Sequence, residues 1–118
     1  MNEKRRHIRV FPEPINPVEI HIMGDGFIDI FKVTDISNGG ARIFVPHHFE
    51  GCNINSKIKV LIKLPKIKSF TANAVIKHKL ENNYNNDYYG IEFLYLSDEQ
   101  TVILDNYVKT RTKQGAVI

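Results

Sequence analysis

Cysteine is almost missing from this sequence: Cys52 is the only one in 118 residues. A single thiol excludes an internal disulfide framework and a cysteine-built metal knuckle. It also suits a reducing compartment, so a cytoplasmic location is expected. A run of about 20 apolar residues is missing too, so nothing is expected to span a membrane. The opening MNEKRRHIRV carries no apolar stretch after its charges and does not read as a signal peptide. There is no internal repeat and no low-complexity segment. A heavy charge imbalance is absent as well. The net charge of +3 and a pI near 9.0 admit an anionic partner without requiring one.

Catalytic and metal signals are equally thin. The five histidines, His7, His21, His47, His48 and His78, make no metal-ligand spacing with one another, with Cys52 or with an acid. There is no nucleophile elbow, no phosphate-cradling glycine loop and no pair of carboxylates at an active-site spacing. Cys52 lies in a turn-like stretch with no evident base. The expectation is a binding protein rather than an enzyme, with no metal and no cofactor.

What is present is a period. Residues 1–14 form a leader, charged first and then broken by Pro12 and Pro14, with Pro17 just beyond. INPVEIHI and GFIDIFKV alternate apolar and polar residues and meet at Gly24-Asp25-Gly26, which predicts a hairpin. GARIFV reads as a third strand ending at Pro46. In SKIKVLIKLP, Ile58, Val60, Ile62 and Leu64 alternate with Lys57, Lys59, Leu61 and Lys63, a strand with one wet face. SFTANAVIKHKL repeats the pattern, with Phe70, Ala72, Ala74 and Ile76 on one side and Thr71, Asn73 and Lys77 on the other. After the loop ENNYNND, YYGIEFLYL places Tyr89, Ile91, Phe93 and Tyr95 in register.

The period then changes. Ser97 and Gln100 have capping-box spacing, Asp98 and Glu99 suit a first helical turn, and Ile103, Leu104, Tyr107 and Val108 share a helical face. Six short strands and one helix predict a mainly β domain: a six-stranded antiparallel β-barrel with a C-terminal α-helix. The expected division is a leader at 1–14, a barrel at 15–96, a helix at 97–110 and a tail at 111–118.

Two local patterns carry chemistry. The leader holds Lys4, Arg5, Arg6 and Arg9, with an R-x-x-x-R spacing from Arg5 to Arg9. DISNGG sets Asp35, Ser37 and Gly40 in D-x-S-x-x-G at a strand junction. Taken singly, the first is satisfied by a solvated basic arm and the second by a turn whose Asp and Ser bond their own backbone. Together they offer more. Guanidinium groups make bidentate phosphate contacts and stack on flat bases, while a carboxylate accepts from the N–H donors of guanine. Glycines allow a flat ring to approach the backbone. The combination suits a guanine nucleotide with more than one phosphate.

The order EKRRHIRV, then DISNGG some two dozen residues on, then alternating strands, then YGIEFLYLSDEQ opening a helix, resembles the PilZ domain family. The resemblance covers essentially the whole chain. It implies a bacterial, cytoplasmic receptor for the second messenger cyclic di-GMP, built as a single-domain PilZ-like split barrel. It assigns phosphate clamping and guanine stacking to Arg5 and Arg9, with Arg6 beside them and Lys4 as a looser charge. It places Asp35, Ser37 and Gly40 around a guanine. It makes Lys77, His78 and Gly90 candidates for further ligand contacts. It implies that a flexible leader folds over the ligand and presents a new surface to a downstream effector protein.

Two other readings remain. Lys57, Lys59, Lys63, Lys66 and Lys68 resemble a single-strand nucleic-acid face, but no aromatic side chains interleave them, so nucleic acid is the less favoured partner. A PilZ fold that binds no ligand and serves only as a protein-interaction module is opposed by the intact motifs.

Overall fold

The structure, a computed structural model, describes residues 7–24, 27–46, 53–81 and 87–118. Arg5, Arg6 and Lys4 therefore lie outside the described residues, as do His47, His48 and Cys52.

Six strands close a barrel. They are β1 (Glu19–Gly24), β2 (Phe27–Ile36), β3 (Gly40–Val45), β4 (Lys57–Lys63), β5 (Phe70–Leu80) and β6 (Asp87–Leu94), and the helix α1 spans Asp98–Lys113. The strand order around the barrel is β1-β2-β3-β6-β5-β4, with every neighbouring pair antiparallel. The predicted hairpin is there: Gly24 stands opposite Phe27 across β1 and β2. Period-two alternation explains the closure. In β4, Val60 and Ile62 are fully buried while Lys57, Lys59 and Lys63 stay in water. Small and large residues stand side by side on neighbouring strands, with Ala74 beside Phe93 and Ala72 beside Val60.

The last predicted residue of β6 departs from the pattern. Tyr95 is 87% exposed with φ +54, because β6 ends at Leu94 and the chain turns there toward the helix. The capping box at Ser97 and Gln100 is formed as expected, and Gln100 Nε2 also donates to the carbonyl of Thr71 at 2.9 Å. Leu104 and Val108 are buried in the core, with Ile103 and Tyr107 packed beside them.

The helix outruns its expected end at 110, reaching Lys113. Nothing between Thr110 and Lys113 breaks a helix, and Arg111 and Lys113 favour its negative C-terminal end. The stop is Gly115, at φ +81. The N–H of Gly115 bonds the Thr112 carbonyl at 3.0 Å and that of Ala116 bonds the Arg111 carbonyl at 3.0 Å. This is a Schellman ending, which needs the left-handed conformation that glycine adopts without cost. It sends Ala116–Ile118 back along the leader.

The leader itself is tied down where the structure describes it. Val10 is fully buried, and it bridges Ile36 of β2 on one side and Val117 on the other.

Candidate functional site

The D-x-S-x-x-G residues sit where β2 passes into β3. Ser37 Oγ accepts from the N–H groups of Gly39 at 3.1 Å and Gly40 at 3.2 Å, and the Ser37 N–H donates to the Gly40 carbonyl at 2.9 Å. The hydroxyl is thus committed to its own turn, the plain structural role of such a serine. The turn is held from outside as well. Phe93 N–H donates to the Gly39 carbonyl at 2.9 Å, and Asn38 Nδ2 donates to Asp105 of α1. Gly40 is required by close approach, since a Cβ there would collide with the Ile91 carbonyl oxygen on β6. The floor of the site is therefore a rigid piece of backbone.

Asp35 is placed by a β-bulge. Val33 pairs with Ile43 and Asp35 with Arg42, leaving Thr34 as the extra residue. Unbroken alternation after Phe31 and Val33 would aim Asp35 into the barrel. The bulge turns it outward, and Ile36 takes the inward place opposite Ala41. Asp35 is nonetheless only 3% exposed, because arginines cover it. Arg9 Nε lies 3.1 Å from its Oδ1 and Arg42 Nε 3.7 Å from its Oδ2. The two cations compensate the burial of the carboxylate, which would otherwise be costly. Oδ1 meets Arg9 without hydrogen-bond alignment and keeps its acceptor capacity.

A second bulge serves the other wall. Ile76 pairs with Ile91 and His78 with Gly90, so Lys77 is the extra residue. The shift places Lys77 and His78 both on the exposed side, whereas alternation after Ala74 and Ile76 would aim His78 inward. Gly90 leaves room for the imidazole, since a Cβ at that position would stand 3.3 Å from the His78 ring. On the leader, the His7 ring lies against Gly39, where a Cβ would fall 2.7 Å away.

These walls enclose an open concavity of about 430 Å³, within the range of about 300–1,000 Å³ common for small-molecule sites. Of the expected residues, Arg9, Ser37, Gly40, Lys77, His78 and Gly90 line it. Asp35 does not line it directly but holds Arg9 at its rim. Arg5, Arg6 and Lys4 fall outside the described residues. His7, Gly39, Ile91 and Glu92 line the concavity without having been singled out. Gly39 was visible as half of a glycine doublet, and His7 as the centre of the arginine motif. Glu92 gave no signal, because its place depends on its register opposite Gly40. Among the described residues no group of three His, Cys, Asp or Glu could hold a metal ion, and no helix is long and apolar enough to cross a membrane. The surface offers two basic side chains, two imidazoles and one acid around a flat glycine floor, which can receive an anionic ligand with a planar ring.

Comparison with known proteins bears on this geometry. The family model for the PilZ domain matches residues 3–110. No curated protein matches. Among solved structures, the PilZ domain with c-di-GMP of YcgR from Escherichia coli superimposes with a TM-score of 0.75 at 14% identity, covering 96% of this chain and 95% of that one. The Bacillus subtilis inhibitor of motility MotI/DgrA gives 0.81 at 14% identity, over 96% of this chain and 53% of its own. The apo state of K. pneumonia MrkH gives 0.77 at 17% identity, over 98% and 52%. This chain thus spans about half the length of the latter two. At these identities the likeness is one of fold.

Proposed function

The chain belongs to the PilZ domain family, and from that premise we propose that it is a receptor for cyclic di-GMP. The observation that carries the reading is the Arg9–Asp35 pair at the rim of the glycine-floored concavity. The second arginine of R-x-x-x-R and the acid of D-x-S-x-x-G, 26 positions apart in the chain, meet at 3.1 Å. A similarly folded domain, that of Escherichia coli YcgR, has been solved with c-di-GMP.

In this reading Arg9 contacts a phosphate and stacks on a guanine, joined by Arg5 and Arg6, with Lys4 as a more distant charge. Asp35 orients Arg9, and its buried Oδ1 becomes available to guanine N–H donors when the Arg9 guanidinium moves onto the phosphate. Ser37 acts through its turn, which presents Gly39 and Gly40 as the surface a purine lies on. Lys77 and His78 close the far wall over Gly90. The arginines alone do not suffice. A charge-assisted hydrogen bond contributes about 1.5–3 kcal/mol, and micromolar affinity needs about 8 kcal/mol. The guanine contacts supply the rest. The part of the leader ahead of Arg9 folds across the bound nucleotide and the new surface is read by a downstream effector protein. No catalytic step is part of this function.

Titration calorimetry tests it, with GTP and cyclic di-AMP as controls. The chain is expected to bind cyclic di-GMP and neither control comparably. Arg9→Ala and Asp35→Ala are each expected to weaken binding at least about tenfold, the loss of one charge-assisted contact. Unchanged affinity in both variants refutes the assignment.

A further inference from the structure

We infer that Ala116–Ile118, the segment after α1, is a positioning element of the nucleotide clamp, so that order in this segment and occupancy of the site rise together. The inference rests on the receptor reading above and extends it to residues at the other end of the chain.

The leader is the middle rung of a three-stranded ladder. On one side, Val10 N–H donates to the Ile36 carbonyl at 2.9 Å and Ile36 N–H returns to the Val10 carbonyl at 3.0 Å. On the other side, Phe11 N–H donates to the Ala116 carbonyl at 2.8 Å and Ile118 N–H donates to the Arg9 carbonyl at 3.0 Å. Arg111 Nε adds a bond to the Phe11 carbonyl at 2.7 Å. Arg9 is thus fixed twice, by its side chain to Asp35 and by its backbone to Ile118.

The two sides of the ladder differ in strength. Ile36 and Val10 are fully buried, whereas Val117 is 44% and Ile118 53% exposed. The outer rung is therefore the first to open. When it opens, the Arg9 peptide loses its partner and the guanidinium loses part of its positioning. A nucleotide that holds Arg9 in place should close the rung, and by linkage whatever closes the rung should tighten nucleotide binding by the same factor. The Schellman turn at Gly115 aims the segment at the leader, so the coupling is built into the end of the helix.

Hydrogen exchange and calorimetry on the full chain test this. Saturating cyclic di-GMP is expected to slow exchange at the amide of Ile118 in the unaltered protein. Ile118→Pro, which removes the donor to Arg9, is expected to weaken cyclic di-GMP binding roughly three- to tenfold, the effect of one lost neutral hydrogen bond. Ile118→Ala keeps the N–H and is expected to bind as the unaltered chain does. Binding with unchanged exchange at Ile118 overturns the inference while leaving the receptor reading intact, and so does equal affinity of Ile118→Pro and the unaltered chain. Equal loss in the proline and alanine variants overturns the backbone account. No binding by the unaltered chain removes both.

Discussion

The barrel has two unlike halves. Where β4 and β1 meet their neighbours β5 and β2, the registers run without a break. Where β2 meets β3 and β5 meets β6, each pairing carries a one-residue shift. The regular half presents Lys57, Lys59 and Lys63 to water, and neither β1 nor β4 lines the concavity. The shifted half has the concavity. Both shifts do the same thing: each turns one polar residue, Asp35 or His78, from the interior to the outer surface. A bulge is thus how a continuous strand can supply core residues along most of its length and a site residue at one point.

The most severe way to break this contrast is Ile36→Asp, at the inward place that the bulge reserves for an apolar residue. Ile36 is fully buried opposite Ala41. An unpaired carboxylate there costs several kcal/mol (about 3 or more). Loss of cooperative thermal unfolding is the expected outcome. Ile62→Ala, on the regular half, is the counterpart. Ile62 is fully buried, so its truncation should destabilise the fold by about 2–5 kcal/mol, measured by urea denaturation. The remaining folded protein should bind cyclic di-GMP with unchanged affinity, since β4 does not line the concavity. His78→Ala sharpens the contrast from the other side, with an expected loss of about threefold in affinity and little change in stability.

The smallest effect concerns Tyr107, on the helix face that packs against the core. Burial pushes its hydroxyl pKa above the usual 10.0, and nearby Arg111 partly offsets the rise. A raised value in the folded state means that stability is intact below pH 10.0 and is lost as the pH climbs through the raised value. Tyr107→Phe should flatten the alkaline limb of a plot of melting temperature against pH.

The same contrast explains what could be seen in the chain beforehand. The alternation of Ile58, Val60, Ile62 and Leu64 matches their burial because nothing interrupts it. The capping box and the helix face were equally legible, being local. The bulges were not. A bulge is defined by the partner strand, and neither Thr34 nor Lys77 differs in type from ordinary strand residues. Ser37 shows a similar limit. Its motif position was visible, but its commitment to the backbone of Gly39 and Gly40 depends on the turn's final shape. The helix end at Lys113 was set by Gly115, a breaker that was present in the sequence. The meeting of leader and C-terminal segment had no sequence signal, because residues more than a hundred positions apart pair there through backbone groups, Phe11 with Ala116 and Arg9 with Ile118.

Closure of the barrel carries one more consequence. Each of its six strands has a neighbour on both sides, so the barrel offers no free edge strand for a partner to extend by β-augmentation. Recognition on the barrel wall must go through side-chain chemistry, which drifts freely while the framework stays fixed. Domains that share this shape at 14% identity can therefore keep a common architecture while the side chains on its wall diverge.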